Sequence, residues 1–406
     1  MKRKLVVGTA LLVAIIAVIA IAVTRDPLFW KRYYLAATHS PATLPLSFYE
    51  PSETIAGTDD PAPPRVDPEL EKLDPAALRA AADYAAERKT TALIVARHGH
   101  IVFEEYWDGS GSGAIADLGS FSATIAALMV GIAMGDRKIA LIEEPVANYI
   151  EEFRNDERNA ITLADLLRSS SGLAPPAGGF GPWSEAARER FGTQSRALCL
   201  ARKVATRPNA RWDPQTCDVQ LLALVIERAT RDRYARYISE HLWKPIRAAD
   251  AQLAREDEAG APHAECCLRA RRGDWMRIAE LLVSDGRFEG EQIVPPGWVR
   301  QMLAPSKANP NFGFQIWRGE PFKPGAGGEE RYAADDTYLL KGAGKSRLWF
   351  VPSLGLSILR TGFNSESDAD WDDARIPNLI IRGARDFVPK GAGSGPQDLS
   401  TIVPNH

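Results

Sequence analysis

The sequence predicts an α+β fold: a mainly antiparallel sheet flanked by helices, with an all-α subdomain inserted between its strands. Three observations carry this expectation. The apolar runs Ala92-Leu93-Ile94-Val95-Ala96 and Ile101-Val102-Phe103 flank His98-Gly99-His100 and read as a β-hairpin. From about 120 to 285 the pattern is helical, as where Leu221, Leu222, Val225 and Ile226 recur at helical spacing. Strand-like segments return only afterwards, at 312–317, 347–351 and 356–360. One sheet assembled from both ends of a unit accounts for all three.

The elements follow in order. Met1-Lys2-Arg3-Lys4 precedes an uncharged apolar run from Leu5 to Thr24. Those residues, at 1.5 Å each, span roughly 30 Å, the thickness of a bilayer core. The cationic flank favours a cytoplasmic N-terminus. The expectation is therefore a single span in the inner (cytoplasmic) membrane over residues 1–24, with the rest on the periplasmic side. A signal peptide cleaved near Ala20-Ile21-Ala22 is the alternative, and it exports the chain equally. Residues 25–70 contain Pro61-Ala62-Pro63-Pro64, show no apolar periodicity over most of their length and read as a linker. Asp74-Pro75 is an N-cap with proline at the first helical position, opening an alanine-rich helix. Residues 71–388 form one compound domain, with a helix at 371–386 closing it. A Gly/Pro/Ser-rich tail, 389–406, is expected to be disordered.

Composition narrows the function classes. The 406 residues are 45% hydrophobic and 25% charged, which excludes wholesale disorder and a polytopic membrane protein. Lys plus Arg number 49 against 52 Asp plus Glu, so no nucleic-acid partner is expected. Four cysteines without a Cys-x-x-Cys pair, and six scattered histidines, give no metal site and no cofactor motif. In an exported chain, Cys217 is expected to bridge to Cys266 or Cys267.

Particular motifs then bring a resemblance. They are Val95-Ala96-Arg97-His98-Gly99-His100-Ile101-Val102, Gly119-Ser120-Phe121-Ser122 with Val130-Gly131-Ile132-Ala133, and Ile161-Thr162-Leu163-Ala164-Asp165-Leu166-Leu167 with Ser171-Gly172-Leu173. Leu242-Trp243-Lys244-Pro245, Asp274-Trp275 and Trp349-Phe350-Val351-Pro352 follow. Their order resembles the penicillin-recognising serine hydrolases: class C β-lactamases, penicillin-binding proteins, related esterases and 6-aminohexanoate-dimer hydrolases. The resemblance implies an active site at the junction of sheet and helical subdomain. It also implies a Ser-x-x-Lys motif opening a buried helix, a Tyr-x-Ser or Tyr-x-Asn motif, and a third motif on a strand edging the site. A serine hydroxyl is a poor nucleophile without an adjacent base, and the oxyanion needs fixed donors.

The chemistry-bearing residues depart from that pattern. Two registers are open for the nucleophile. With Ser122 as the serine, Ile125 takes the lysine position; with Ser120, Ala123 takes it. Neither supplies an amine. The tyrosine motif corresponds to Pro214-Gln215-Thr216, and proline has no proton to give. The third motif falls either on Lys341-Gly342 or nearer 337–339, so Tyr338 and Lys341 are the candidate proton-transfer groups. Both serines also suit a plain N-cap. Gly342-Ala343-Gly344-Lys345-Ser346 is not a phosphate loop, because an apolar strand pattern, not a helix, follows it. His98 and His100 read as solvent-exposed turn residues, His241 as packing, and most tryptophans as core or cleft walls. The expected function is amide or ester hydrolysis by an acyl-serine route. The alternative is a pseudoenzyme whose cleft holds a small-molecule or peptide ligand or a partner protein.

Overall fold

The structure, a computed structural model, describes residues 7, 22–40, 43–61, 63–179, 181–319, 330–364 and 371–389. The described strands are β1 (Ser52–Ile55), β2 (Thr90–Arg97), β3 (His100–Tyr106), β4 (Ile115–Asp117), β5 (Ala251–Ala254), β6 (Leu268–Arg271), β7 (Arg287–Phe288), β8 (Glu291–Gln292), β9 (Trp317–Arg318), β10 (Tyr338–Lys341), β11 (Arg347–Val351) and β12 (Leu356–Gly362). The main sheet runs β3-β2-β12-β11-β10-β9 and is antiparallel throughout. Its centre joins the two ends of the domain: Ile94 of β2 faces Leu359 of β12, which faces Leu348 of β11.

The period-2 pattern of these strands sorts their side chains into two cores. Leu93, Val95, Trp349, Val351 and Ile358 pack with Leu78, Ala82, Ile376 and Ile380 of the helices Pro75–Ala86 and Arg375–Arg382. Ile94, Ala96, Leu348, Phe350 and Leu359 belong to the larger core on the opposite face, with Trp275, Ile278 and Leu282 of the helix Arg272–Val283. Each fully buried Leu, Ile or Val contributes about 1.5–3 kcal/mol. The hairpin, the Asp74-capped helix and strands β11 and β12 thus form as the sequence predicts.

Several expectations are corrected. Residues 25–70 are not a free linker. They contain the helix Pro27–Thr38 and strand β1, which pairs β5 in a second sheet of order β1-β5-β6-β4. Phe29, Phe48 and Tyr49 pack with Ala187, Phe191 and Cys267, and buried Arg32 fixes the segment. Arg32 donates to the carbonyls of Phe48, Glu50, Arg255 and Glu256, and to Nε2 of His263, because a guanidinium can only donate. Residues 120–285 are not all-α, because the four-residue strands β5 and β6 interrupt them without visible periodicity. Over 312–317 the expected strand reduces to an isolated Phe312–Trp317 bridge before β9, since Gln315 takes a φ of 55°. The closing helix is shorter, Arg375–Arg382. The tail from 390 and, apart from residue 7, the first 21 residues of the expected anchor lie outside the described residues. Among the described residues no helix is long and apolar enough to cross a membrane.

Candidate active site

Ser120 stands where β4 hands over to the buried helix Phe121–Gly135. Asp117 at the end of β4 accepts the Gly119 N–H at 2.8 Å and the Tyr49 hydroxyl at 2.8 Å, fixing the turn. Desolvation pushes the Asp117 carboxyl up, and pushes the Tyr49 phenol well above its ordinary range. The helix is buried from Phe121 to Ala133, so it is a core helix with no solvent face there. Gly131 is required in it: a Cβ there would stand 2.3 Å from the ring of Trp298, whose Nε1 donates to the Ala127 carbonyl.

A cavity of about 390 Å³ opens at the N-terminal end of this helix. Ser120, Ala123, Pro214, Gln215, Thr216, Trp317 and Lys341 line it, with Arg190, Glu265 and Cys266 at its wall. Gly342 lets strand β10 close that wall, since a Cβ there would meet the Leu118 carbonyl at 2.2 Å.

The two serines separate. Ser120 is exposed, lines the cavity and, although at the N-cap position, makes no side-chain cap hydrogen bond. Ser122 is 3% exposed; its Oγ donates to the Gly119 carbonyl and accepts the Leu268 N–H. Ala123 faces the cavity, whereas Ile125 is in the core. The geometry therefore pairs Ser120 with Ala123. Tyr338, half-buried and stacked on Phe350 at 5.5 Å, does not line the cavity, while Lys341 does. Lys341 Nζ lies 3.2 Å from Asp373 Oδ2 and 4.6 Å from the Trp317 ring centroid. Burial alone would raise the Asp373 carboxyl, but Arg347 and Lys341 hold it well below the usual carboxylate range. Lys341 at the cleft is thus already paired with a carboxylate.

Arg190, Glu265, Gln315 and Ser169 also line the cavity, and nothing in the sequence singled them out. Gln315 Nε2 donates to the carbonyls of Leu166 and Leu167 and to Ser169 Oγ, and its own carbonyl accepts from Thr124 Oγ1 at 2.7 Å. It ties the floor of the cleft to the buried helix. His98 and His100 are partly exposed, and each places Nδ1 2.7 Å from Glu71. His241, partly exposed, packs its ring at a tilt against the buried Tyr237, with Nδ1 3.2 Å from Asp136.

Cys217 bridges Cys199, not Cys266 or Cys267, and those two bond to each other. The Cys199–Cys217 bridge staples the helix Ser195–Ala201 to the start of the helix Thr216–Thr230, immediately behind Thr216 of the cleft. A free nucleophilic thiol is thereby ruled out for Cys217. Among the described residues, the group of potential metal ligands is Glu189, Cys199 and Cys217. Its sulfurs are spent on each other, and Glu189 is paired with Arg202.

A two-lobed sheet-and-helix body with a serine at the mouth of a core helix defines a serine-hydrolase fold. A family model described as Beta-lactamase matches residues 78–358, and the chain belongs to that family. A 6-aminohexanoate-dimer hydrolase of Paenarthrobacter ureafaciens is 27% identical over 89 residues, 22% of this chain and 23% of that protein. The match thus spans about a quarter of that relative's length. Among solved structures, a Bacillus anthracis protein provisionally assigned as a 6-aminohexanoate-dimer hydrolase superposes with a TM-score of 0.65 at 17% identity, over 83% of this chain and 90% of its own. A penicillin-binding protein homolog from Caulobacter crescentus gives 0.57 at 14% identity, over 76% and 97%. At such identities the likeness is one of fold.

Proposed function

We propose that this chain is a membrane-tethered, exported member of the β-lactamase family whose cleft binds a small molecule or peptide without the family's acyl-serine turnover. One observation carries the reading: Ala123 and Pro214 line the cleft where a lysine and a tyrosine would move protons. Without a base, Ser120 remains a neutral hydroxyl at neutral pH. The tether is supported by the Leu5 to Thr24 run, and export by two disulfides, which persist in oxidising compartments. Ser120, open in a cleft that Lys341 also lines, favours a second reading: slow hydrolysis of an amide or ester with Lys341 assisting.

A fluorescent penicillin and a fluorophosphonate probe separate the two on the full chain, with Ser120→Ala and Ser122→Ala variants alongside. Binding of the penicillin without covalent labelling is expected. Labelling that vanishes in Ser120→Ala alone would establish the hydrolase and defeat the binding-only reading.

A further inference from the structure

Behind the cleft lies a groove of about 380 Å³ between the helix Pro27–Thr38 and residues 182–198. Arg25 and Arg188 line it together with Trp30 and Trp183, whose rings meet edge to face at 5.2 Å. Both arginines are exposed, and neither forms an ion pair among the described residues. Trp183 is 56% exposed and Tyr34, on the same helix as Trp30, 66%. Exposed aromatic edges beside unpaired guanidinium groups suit a partner that offers both an apolar layer and anionic oxygens.

We propose that this groove seats phospholipid headgroups, so that the domain lies against the bilayer surface; the inference rests on the membrane tether proposed above. Three features fit. The apolar run ends at Thr24, directly before Arg25, so the groove begins where that run stops. Tryptophan and tyrosine favour the interfacial layer, and arginine pairs with lipid phosphate. Finally, the helix Pro27–Thr38 cannot swing away, because the Arg32 hydrogen bonds bind it to the chain at Arg255 and Glu256.

This surface also fixes where the cleft opens. Arg188 lines the groove and Arg190 the cleft, both on the helix Glu185–Phe191. Two residues apart, they differ by about 3 Å in height and about 200° around the axis. A single helix therefore separates the lipid-facing groove from the ligand-facing cleft, which lies on the opposite side of that helix.

The test uses the full chain reconstituted into phosphatidylcholine–phosphatidylglycerol vesicles, with and without bromine on the lipid chains near the glycerol. The apolar run contains no tryptophan, so any quenched fluorescence comes from the domain. Quenching by brominated lipid is expected in the parent protein, with loss of that component in Trp30→Phe/Trp183→Phe. Arg25→Glu/Arg188→Glu should weaken it. Trp183→Phe, at an exposed site, guards against misfolding if its thermal unfolding is unchanged. Protein that floats with carbonate-washed vesicles yet shows no difference between parent and tryptophan variant overturns the groove proposal and leaves the tether standing. Protein that does not float refutes the tether, and the groove proposal with it.

Discussion

Placing a lysine back on the buried helix tests which register faces the cleft. Ala123 lines the cavity three residues after Ser120, and positions so spaced on a helix have Cβ atoms about 5–6 Å apart. An extended lysine side chain covers that gap, and about 390 Å³ of open volume receives it. Ala123→Lys should therefore fold and bring an amine to Ser120 Oγ. A positioned general base contributes about 10²–10⁴-fold, so fluorophosphonate labelling of Ser120 should rise by about that factor above the parent's background. Ile125→Lys is the counterpart. Ile125 is 1% exposed, and truncating a buried isoleucine alone costs about 2–5 kcal/mol before any charge is buried. That variant should lose cooperative unfolding and gain no labelling. The reasoning fails if Ile125→Lys folds and labels, or if a folded Ala123→Lys labels Ser120 no faster than the parent.

Three other expectations follow. Cys199→Ala/Cys217→Ala opens a loop with a sequence separation of 18. Chain entropy makes this a loss of about 3 kcal/mol, read as a fall of several degrees in Tm, and an unchanged Tm would mean that the bridge restrains nothing. Asp218 is buried, hydrogen-bonded through Oδ1 to Ser171 and without a partner at Oδ2 among the described residues, and burial pushes its carboxyl well above the usual range. Its stabilising contribution is therefore full below the unfolded value near about 4 and fades as pH rises above it. Asp218→Asn has no proton to lose, so its Tm should gain on the parent's between acidic and neutral pH, and parallel pH curves would contradict this. Arg32→Ala leaves buried carbonyls without donors and should cost at least about 3 kcal/mol in urea unfolding.

What could be read from the sequence followed burial and contact distance. β2 and β12 are covered on both faces, so their apolar runs announce them. In the segment 27–55 the Asp26-Pro27 cap is the same signal as Asp74-Pro75 and went unread. The docking of the segment was not legible, because it comes from Arg32 reaching carbonyls 223 and 224 residues away. The nucleophile register stayed open for a related reason. The helix from Phe121 is apolar all round, so its periodicity has no phase and cannot say which serine faces out. The departures at Ala123 and Pro214 were legible, because an absent amine or phenol needs no geometry. The cysteine pairing was not, since Cys199 meets Cys217 only through helix packing.

Arg32 also separates two boundaries that are often treated as one. The family match begins at residue 78, yet the cooperative body starts some fifty residues earlier, with a guanidinium that ties Phe48 and Glu50 to Arg255 and Glu256. A fragment cut at the homology limit would keep the sheet and the cleft. It would lose strand β1 from the second sheet, uncover Phe191 and remove the Tyr49 hydroxyl from Asp117, which holds the turn before Ser120. In this chain the unit of descent and the unit of folding have different edges, and the serine depends on the part that lies between them.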